Sequence, residues 1–305
     1  MALVNKENCI HYSQCPVCSS SNFAEVLQCK DYTVSQEQFS IVECQQCTLR
    51  FTQDVPKQSH IGVYYQSDNY ISHSDTNEGL ISKLYKAVRK ITLKTKLNIV
   101  ETNVSSKSGH AILDIGSGTG AFLNTMKQAD WSVVGLEPDA GARANALKLY
   151  NLTAQAPEQL FLLPSNTFDA ITMWHVLEHV EQLQEYIAQC YELLTPGGTL
   201  FIAVPNYTSS DARKYQSYWA AYDVPRHLYH FSPNAIKTLV EKHGFYVKRM
   251  LPMWFDPFYI SMLSEQYQTG SNKLFSAFFA GLKSTLTTIG NKEKASSIIY
   301  VIKKN

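Results

Sequence analysis

The fold is decided by the stretch Ala111-Ile-Leu-Asp-Ile-Gly-Ser-Gly-Thr-Gly120, in which a short apolar run is followed at once by closely spaced glycines. The helical pattern Phe122, Leu123, Met126 comes directly after it. A strand, a glycine loop and a helix in this order present bare backbone at a helix N-terminus, where a ligand can approach closely. The stretch therefore predicts a nucleotide-type binding loop in an α/β fold.

The residues around the loop indicate a ligand that contains a nucleoside and a positively charged group. Ser132-Val-Val-Gly-Leu-Glu137 predicts the next strand, and its terminal carboxylate lies 21 residues after Gly116, where it can accept hydrogen bonds from both ribose hydroxyls of an adenosine. Asp114, immediately before the glycines, suits an ammonium group better than a pyrophosphate.

A nicotinamide-dependent oxidoreductase, using NAD(P), is an alternative. Because Ala121 follows Gly120, the loop also satisfies the dinucleotide fingerprint G-x-G-x-x-A. Asp114 and the absence of a second phosphate-binding segment in the sequence argue against this interpretation.

Outward from the loop, short apolar strands alternate with amphipathic helices, which is typical of a parallel sheet covered on both faces. The later elements are predicted as a fourth strand from Phe168, a fifth over Thr199–Val204, a helix from Ser232-Pro233, and a final pair over Phe245–Met250 and Ser296–Ile302. An aromatic-rich insert at about 256–290 is expected to pack as a helical cover over the acceptor site, with a partner surface or a lipid-facing patch as alternatives.

The N-terminal segment is expected to need a metal. Six of the seven cysteines precede residue 48, in a stretch too short for much hydrophobic core. The pairs Cys15-Pro-Val-Cys18 and Cys44-Gln-Gln-Cys47 predict four thiolates around one structural Zn²⁺, with no open position for catalysis. Residues 1–58 are therefore predicted as a zinc ribbon and 59–305 as the main domain, with disulfides or a redox pair as alternatives.

Three further segments resemble a known family. Together with Asp114, the glycines and Glu137, the segments Phe168–His179, Leu194–Gly198 and Asp223–Phe231 resemble the class I S-adenosylmethionine-dependent methyltransferases over residues of about 60–305. The resemblance implies a Rossmann-like, doubly wound, seven-stranded, mostly parallel sheet with an antiparallel last strand at its edge. The cysteine pairs resemble the zinc-containing N-terminal domain of certain sugar methyltransferases.

The resemblance also implies a cofactor site for S-adenosylmethionine. Its amino-acid end would lie on Asp114 and the glycine backbone, its ribose on Glu137 and its adenine beside Pro138, while the exit of the fourth strand borders the open mouth of the sheet. The implied cofactor-binding residues are Asp114, Gly116, Gly118, Gly120, Glu137, Pro138, Trp174 and His175.

The polar loop after the fifth strand carries the candidate catalytic residues. Methyl transfer requires the acceptor to be aligned and deprotonated, so a base with a pKa near 7 is suitable. We expect His227 to be this base, with Tyr222, Asp223 or His230 as orienting groups or substitutes. The alternative is that Arg226 and His227 only lock the loop to the domain.

His175-Val-Leu-Glu-His179 also matches the inverted zinc-peptidase motif H-x-x-E-H. Because a strand is expected to end at His175, the two rings are not expected on one helix face, and Glu178 is interpreted as a charge at a helix N-terminus. A hydrolase would need a third ligand that the sequence does not identify. Tyr70 and His73, from the lead-in segment, are candidates to close over the cofactor or to contact the acceptor, with a purely structural role as the alternative.

Charge and composition limit the partners. The chain has 27 Lys and Arg against 26 Asp and Glu, a net charge of +1, which gives no reason to expect nucleic acid or a membrane surface. No apolar run reaches the ~18 residues of a membrane span, so a cytoplasmic protein of unspecified oligomeric state is expected.

The predicted activity is methyl transfer to a hydroxyl, amine or carbon of a small-molecule acceptor, and the resemblance favours a nucleotide-linked sugar. The alternative is an inactive zinc-ribbon adaptor.

Overall fold

The computed structural model describes residues 4–66, 80–104, 110–271 and 273–304, so Tyr70 and His73 lie outside the described residues. The N-terminal strands are β1 (Cys9–Ile10), β2 (Phe23–Lys30), β3 (Gln38–Cys44), β4 (Arg50–Thr52) and β5 (Val55–Pro56). β2 and β3 form an antiparallel hairpin, and β3 continues the sheet to β4. This hairpin takes up most of the residues between Cys18 and Cys44 and brings the two cysteine pairs to the same end of the sheet.

The main domain alternates helices with strands, as the sequence predicts. Its first half contains α1 (Leu80–Asn103), β6 (Ala111–Ile115), α2 (Ala121–Lys127), β7 (Ser132–Leu136), α3 (Ala140–Tyr150), β8 (Ala154–Gln155), β9 (Phe168–Trp174) and α4 (Leu183–Leu193). Its second half contains β10 (Leu194–Pro205), α5 (Ser210–Tyr215), β11 (Tyr229–His230), α6 (Pro233–Glu241), β12 (Phe245–Pro252), α7 (Asp256–Thr269), α8 (Leu274–Gly290) and β13 (Ser297–Lys304).

Seven strands form one Rossmann-like sheet in the order β12-β13-β10-β9-β6-β7-β8. β8, β7, β6, β9 and β10 run parallel, and β13 pairs antiparallel with β10, as expected for the last strand. The expected edge position of that strand is wrong, because β12 pairs with the outer side of β13 and takes the edge itself.

Alternate side chains of the strands build two hydrophobic layers. Leu113 and Ile202 belong to a core that includes buried residues of α4 and α6. Their neighbours Ile112 and Phe201 belong to a second core with α1 and α2. Helices therefore cover both faces of the sheet, which leaves its carboxyl edge as the place where loops can meet a ligand. Within the described residues no helix combines the length and the apolarity needed to cross a membrane.

The predicted insert forms an antiparallel pair of helices, α7 and α8, which pack against each other and against α5. α7 also contacts the short helical turn Ala220–Tyr222 of the polar loop. The aromatic residues of α8 are not packed inside as a cover would require, since Phe275, Phe278 and Phe279 are exposed.

The ribbon and the main domain share a sheet. β11, which lies in the polar loop after β10, pairs antiparallel with β4, so the smaller sheet has the order β11-β4-β3-β2. The backbone of Thr52 also donates to the carbonyl of Leu228 at 2.9 Å. The candidate catalytic loop is thereby an extension of the ribbon.

Candidate functional site: a cofactor cradle and a polar loop

The glycine loop turns sharply at the carboxyl end of β6. The backbone N–H groups of Gly116 and Ser117 both donate to the carbonyl of Leu136, at 2.7 and 2.9 Å. Gly116 has φ +75°, and a Cβ there would collide with Val176. A Cβ on Gly118, whose φ is +54°, would meet no atom within 4 Å, so this backbone faces open space. The loop therefore offers bare peptide groups to a ligand.

Asp114 is a buried carboxylate directly below this loop. Burial raises its pKa to about 7, although the hydroxyl of Thr172 donates to Oδ1 at 2.6 Å and the charge of Lys96 acts in the opposite direction. A buried carboxylate with a raised pKa gains stability when a cation approaches it. The residue thus fits the ammonium group of an amino acid.

Glu137 follows β7 at the far end of the loop. One of its carboxylate oxygens accepts from the backbone of Gly118 at 2.8 Å, and the other accepts from the backbone of Asp139 at 2.9 Å. Each oxygen keeps a further lone pair for a hydroxyl group. Pro138, the next residue, is exposed at the same edge. These residues are placed together as the sequence predicts.

Trp174 ends β9, and its ring packs edge-on against Phe122 with centroids 5.4 Å apart. The ammonium of Lys96 lies 4.5 Å from the centre of the Trp174 ring. The indole Nε1 is buried and has no hydrogen-bond partner among the described residues. The Trp174 ring and the ammonium of Lys96 therefore lie side by side at the carboxyl end of β9.

His175 has the left-handed φ of +57° and lies between two acids. Its Nε2 is 3.1 Å from Oδ2 of Asp256, and its Nδ1 is 3.4 Å from Oε1 of Glu178. Burial disfavours the charged ring, but the hydrogen bond to Asp256 and the two negative charges raise the pKa of His175 to about 10. The ring is therefore a cation near neutral pH and unsuited to accept a proton.

Glu178 does not begin a helix, contrary to the expectation from the sequence. It lies in the short helical turn Leu177–His179, which ends four residues before the start of α4, and it is fully buried. Neither carboxylate oxygen has a hydrogen-bond partner among the described residues. Side-chain ligand atoms of Glu178, His179 and His227 all lie within 4.8 Å of one another, which is a donor set of the kind that metals use. Of the two histidines of the H-x-x-E-H pattern, His179 belongs to this cluster, while His175 lies between Glu178 and Asp256.

His179 completes this cluster in a neutral form. Burial and the charge of His227 lower the pKa of His179 to about 4. Its Nδ1 is 2.9 Å from the carbonyl of Arg226 and 3.1 Å from the hydroxyl of Tyr65. Since a carbonyl only accepts, the proton lies on Nδ1 and Nε2 is a bare acceptor.

His227 has the same arrangement of its ring nitrogens. Nδ1 lies 2.9 Å from the carbonyl of Ala221, so this nitrogen carries the proton. Nε2 is left as the acceptor, 3.9 Å from Oδ2 of Asp223, and the ring meets that of His179 edge-on at 4.6 Å. The backbone N–H of Leu228 donates to the carbonyl of Glu178 at 2.8 Å, which fixes the loop to the exit of β9.

Tyr222 and His230 face the ribbon. Arg50 donates to the hydroxyl of Tyr222 at 2.7 Å, while burial raises the pKa of this phenol. Nε2 of His230 lies 3.0 Å from Oγ1 of Thr52, and burial holds the pKa of His230 well below its usual value. Both side chains are almost fully buried, so their hydrogen bonds hold the loop against β4.

Arg226 is a buried link between the loop and the ribbon. Its guanidinium donates to both carboxylate oxygens of Asp223, at 2.6 and 3.0 Å, and to Oδ1 of Asp31 in the ribbon at 3.1 Å. It also donates to the carbonyl of Tyr64 at 2.7 Å. The predicted locking role of Arg226 therefore has a clear geometry, and the same contacts orient Asp223 toward His227.

The four paired cysteines come together in the ribbon. Their sulfur atoms all lie within 4.8 Å of one another, with 3.5 Å between Cys15 and Cys47 and between Cys18 and Cys44, and all four are free thiols. A tetrahedron with Zn–S bonds of about 2.3 Å places its sulfurs nearly 4 Å apart. The donor set and its size fit a structural Zn²⁺, which would connect the turns before β2 and after β3.

Several residues of the site were not predicted from the sequence. Thr172 supports Asp114, and a polar residue within the apolar run Phe168–Trp174 was the available signal. Asp256 pairs with His175 from a distant helix, and no local pattern indicates that contact. The burial of Glu178 likewise depends on the return of the polar loop.

The main domain matches a known protein family. A family model described as a methyltransferase domain matches residues 87–249, more than half of the chain. The chain belongs to the class I S-adenosylmethionine-dependent methyltransferases. The fold inferred from the glycine loop and the later segments is thereby confirmed.

The curated relatives of this methyltransferase include enzymes of ubiquinone biosynthesis. It is 30% identical over 167 residues to the mitochondrial ubiquinone biosynthesis O-methyltransferase of Rattus norvegicus, covering 50% of this chain and 48% of the relative. It is 28% identical over 184 residues to the ubiquinone biosynthesis O-methyltransferase of Nitrosococcus oceani, covering 56% and 75%. The chain spans about half the length of the mammalian relatives it matches.

A solved structure agrees at the level of the fold. Phosphoethanolamine N-methyltransferase 2 of Haemonchus contortus, in complex with S-adenosyl-L-methionine, superposes with a TM-score of 0.50 at 16% identity. The match covers 84% of this chain and 62% of that one. At this identity the likeness concerns the arrangement of helices and strands.

Proposed function

We propose that this methyltransferase transfers the methyl group of S-adenosylmethionine to a hydroxyl group of a small molecule. The observation that carries the proposal is Asp114, a buried carboxylate of raised pKa beside a glycine loop whose backbone at Gly118 faces open space. S-adenosylmethionine supplies an ammonium group for such a carboxylate and a methyl group already activated by its sulfonium. The work left to the protein is binding, alignment and proton removal.

The cofactor contacts follow the two strand ends. Asp114 and the glycine backbone bind the amino-acid end, and the free lone pairs of Glu137 accept from the ribose hydroxyls. Pro138 flanks the adenine, while Trp174 and the charged His175 border the opening toward the acceptor. These assignments are supported by the distances and burial above.

His227 is proposed as the base. Its bare Nε2 can accept the proton of an acceptor hydroxyl, and Asp223, held by Arg226, is placed to stabilise the imidazolium that forms. Tyr222 and His230 act indirectly by holding the loop on the ribbon. Keeping Asp223 and Arg226 paired preserves the position of His227 while the acceptor binds.

The acceptor is proposed to react through oxygen. The matched curated relatives are O-methyltransferases by name, which supports a hydroxyl among the three nucleophiles considered from the sequence. The nucleotide-linked sugar favoured by the sequence finds no support among them. We expect S-adenosylhomocysteine release with hydroxylated ubiquinone precursors, and none with nucleotide-linked sugars, when both panels are assayed.

Cofactor affinity should depend on pH through Asp114. The carboxyl is neutral below its pKa of about 7 and anionic above it. Because an ammonium group attracts only the anion, affinity for S-adenosylmethionine should weaken as the pH falls from about 8 to about 6. Asp114→Asn should weaken binding about tenfold or more and remove that dependence. Isothermal calorimetry across this pH range measures both effects.

The matched control is Asp130→Asn, which removes an exposed carboxylate from the loop before β7. This variant should bind like the unmodified protein at every pH. No heat with S-adenosylmethionine would favour the inactive adaptor, and binding of reduced nicotinamide cofactor in its place would favour an oxidoreductase.

A further inference from the structure

Helix α8 has its larger apolar side chains turned outward. Phe275 is 84% exposed, Phe279 is 64% exposed and Ile289 is 68% exposed. At about 100° per residue, six apolar residues fall within an arc of about 100° and form a stripe about 21 Å long. This outer stripe consists of Phe275, Phe278, Phe279, Leu282, Leu286 and Ile289.

The opposite face of the helix is the one that packs against the protein. It carries small residues that are buried, namely Ala277, Ala280, Gly281, Ser284 and Thr288. A Cβ on Gly281 would lie 2.8 Å from the ring of Phe258 in α7, so the two helices approach closely. The face of α8 with small residues packs against the rest of the protein, and the face with large apolar residues is exposed. This is the reverse of the usual amphipathic helix, and it leaves the outer stripe available to a partner.

The charged residues of α8 and of its two flanks are positive up to Lys292, and the next residue, the exposed acid Glu293, lies 3.8 Å from the ammonium of Lys237. Residues 266–292 contain no Asp or Glu, whereas Lys273, Lys283 and Lys292 lie in this segment and are exposed. This local excess of positive charge is not apparent from the net charge of the whole chain, which is near zero. A self-complementary dimer through the stripe would bring lysines toward lysines with no acid of the segment to oppose them. Anionic lipid headgroups match both the charge and the apolar stripe.

The stripe leads toward the candidate cofactor site. The ring of Phe278 lies 5.7 Å from that of Phe258 in α7, and α7 begins at Asp256, which pairs with His175. Phe255, at the same end, is 43% exposed. A surface resting on α8 therefore lies beside the mouth of the sheet. With 17 residues, the helix is suited to lying in the interface and not to crossing the bilayer.

We propose that the outer stripe of α8 docks this protein on an anionic membrane surface. The aromatic side chains enter the boundary between headgroups and acyl chains, and the three lysines meet the phosphates. The proposal rests on the exposure and charge of α8, and does not depend on the assignment of the acceptor.

Flotation of the full chain with vesicles tests this proposal. The protein should float with vesicles of phosphatidylcholine and phosphatidylglycerol, and less with phosphatidylcholine alone. Replacing two exposed rings by Phe275→Ser and Phe279→Ser should weaken partitioning by about tenfold or more. Replacing the three lysines by glutamine should remove the preference for the anionic vesicles and leave part of the binding.

The control pair is Phe161→Ser with Leu162→Ser, which removes two exposed apolar side chains from another surface. It should float like the unmodified protein, and circular dichroism should show both double variants folded. No flotation of the unmodified chain, or equal loss in both pairs, would overturn the proposal. So would a dimer in analytical ultracentrifugation that only the α8 pair dissociates, because the stripe would then be a contact between two copies.

Discussion

Three ionisable side chains near the carboxyl ends of β6 and β9 differ in charge because their surroundings differ. For Asp114 burial outweighs both the hydrogen bond from Thr172 and the charge of Lys96, so its pKa rises to about 7. His175 lies between two carboxylates and stays charged, with a pKa of about 10. His179 also has the carboxylates of Glu178 and Asp223 nearby, but burial and the charge of His227 outweigh them and lower its pKa to about 4. His179 and His227 both leave Nε2 as an acceptor, and His227 is the one whose Nε2 is 3.9 Å from a carboxylate oxygen of Asp223, which is why we propose it as the base.

The base can be tested by His227→Gln. Glutamine keeps a polar side chain in the loop but has no nitrogen that accepts a proton. Turnover should fall by about a hundredfold or more, since general base catalysis contributes that amount. Affinity for S-adenosylmethionine should remain within about twofold, because the variant leaves Asp114 and the glycine loop intact. Product formation and calorimetry measure the two quantities.

A matched variant separates the base from its neighbour. His179→Gln alters the cluster without removing the nitrogen of His227, so it should reduce turnover less. An unchanged rate in His227→Gln would remove this residue from the mechanism. A steeper fall of the rate at low pH in the unmodified protein than in the variant would support it, because a base loses activity when it is protonated.

At the scale of the element, the position of the glycine loop depends on a second strand. Gly135 lies in β7, and a Cβ there would sit 2.9 Å from Oγ of Ser117 and 2.5 Å from Leu123. Gly135→Ala should therefore displace the loop and weaken cofactor binding. The expected loss of folding free energy is about 1–3 kcal/mol, the usual cost of overpacking. Thermal unfolding and calorimetry provide the measurements.

Gly62→Ala is the control for this change. Nothing lies within 4 Å of a Cβ at Gly62, which is in the short helical turn Ile61–Tyr65. Unfolding and cofactor affinity should both match the unmodified protein. If Gly135→Ala binds the cofactor equally well, the contact between β7 and the loop does not set the geometry of the site.

The elements themselves were largely predictable from local patterns. The glycine loop, the helix capped by Ser232 and the two final strands follow from spacing, capping and β-propensity, all of which act within a few residues. The edge position of β12 and the pairing of His175 with Asp256 were not predictable, because both depend on which distant segments meet. The same applies to α8, whose apolar stripe was correctly expected to be helical but not to face outward.

At the scale of the whole molecule, the N-terminal ribbon supports the polar loop that carries the proposed base. β4 pairs with β11, Arg50 holds Tyr222, and Asp31 pairs with Arg226. Cys18→Ser should lower the zinc content, because it removes one of four ligands. Amide exchange over residues 222–231 should then speed up by about tenfold or more, while β6 keeps its protection. Metal analysis and exchange mass spectrometry measure the two effects.

Cys9→Ser is the matched control, since Cys9 lies outside the four-cysteine group. It should retain zinc and the exchange rates of the loop. If the zinc is lost from Cys18→Ser and the loop exchange does not change, the ribbon is an independent unit and the shared sheet does not support the loop.

The strand that the main domain contributes to the sheet of the ribbon, β11, has a consequence for protein engineering. A loop that recognises a new acceptor cannot be grafted from a relative by itself, because Tyr229 and His230 are in register with Phe51 and Arg50 of another segment. Transplanting selectivity between members of this family would require the N-terminal hairpin to be exchanged with it. When the acceptor changes during evolution, substitutions in the polar loop and in the N-terminal hairpin should therefore occur together.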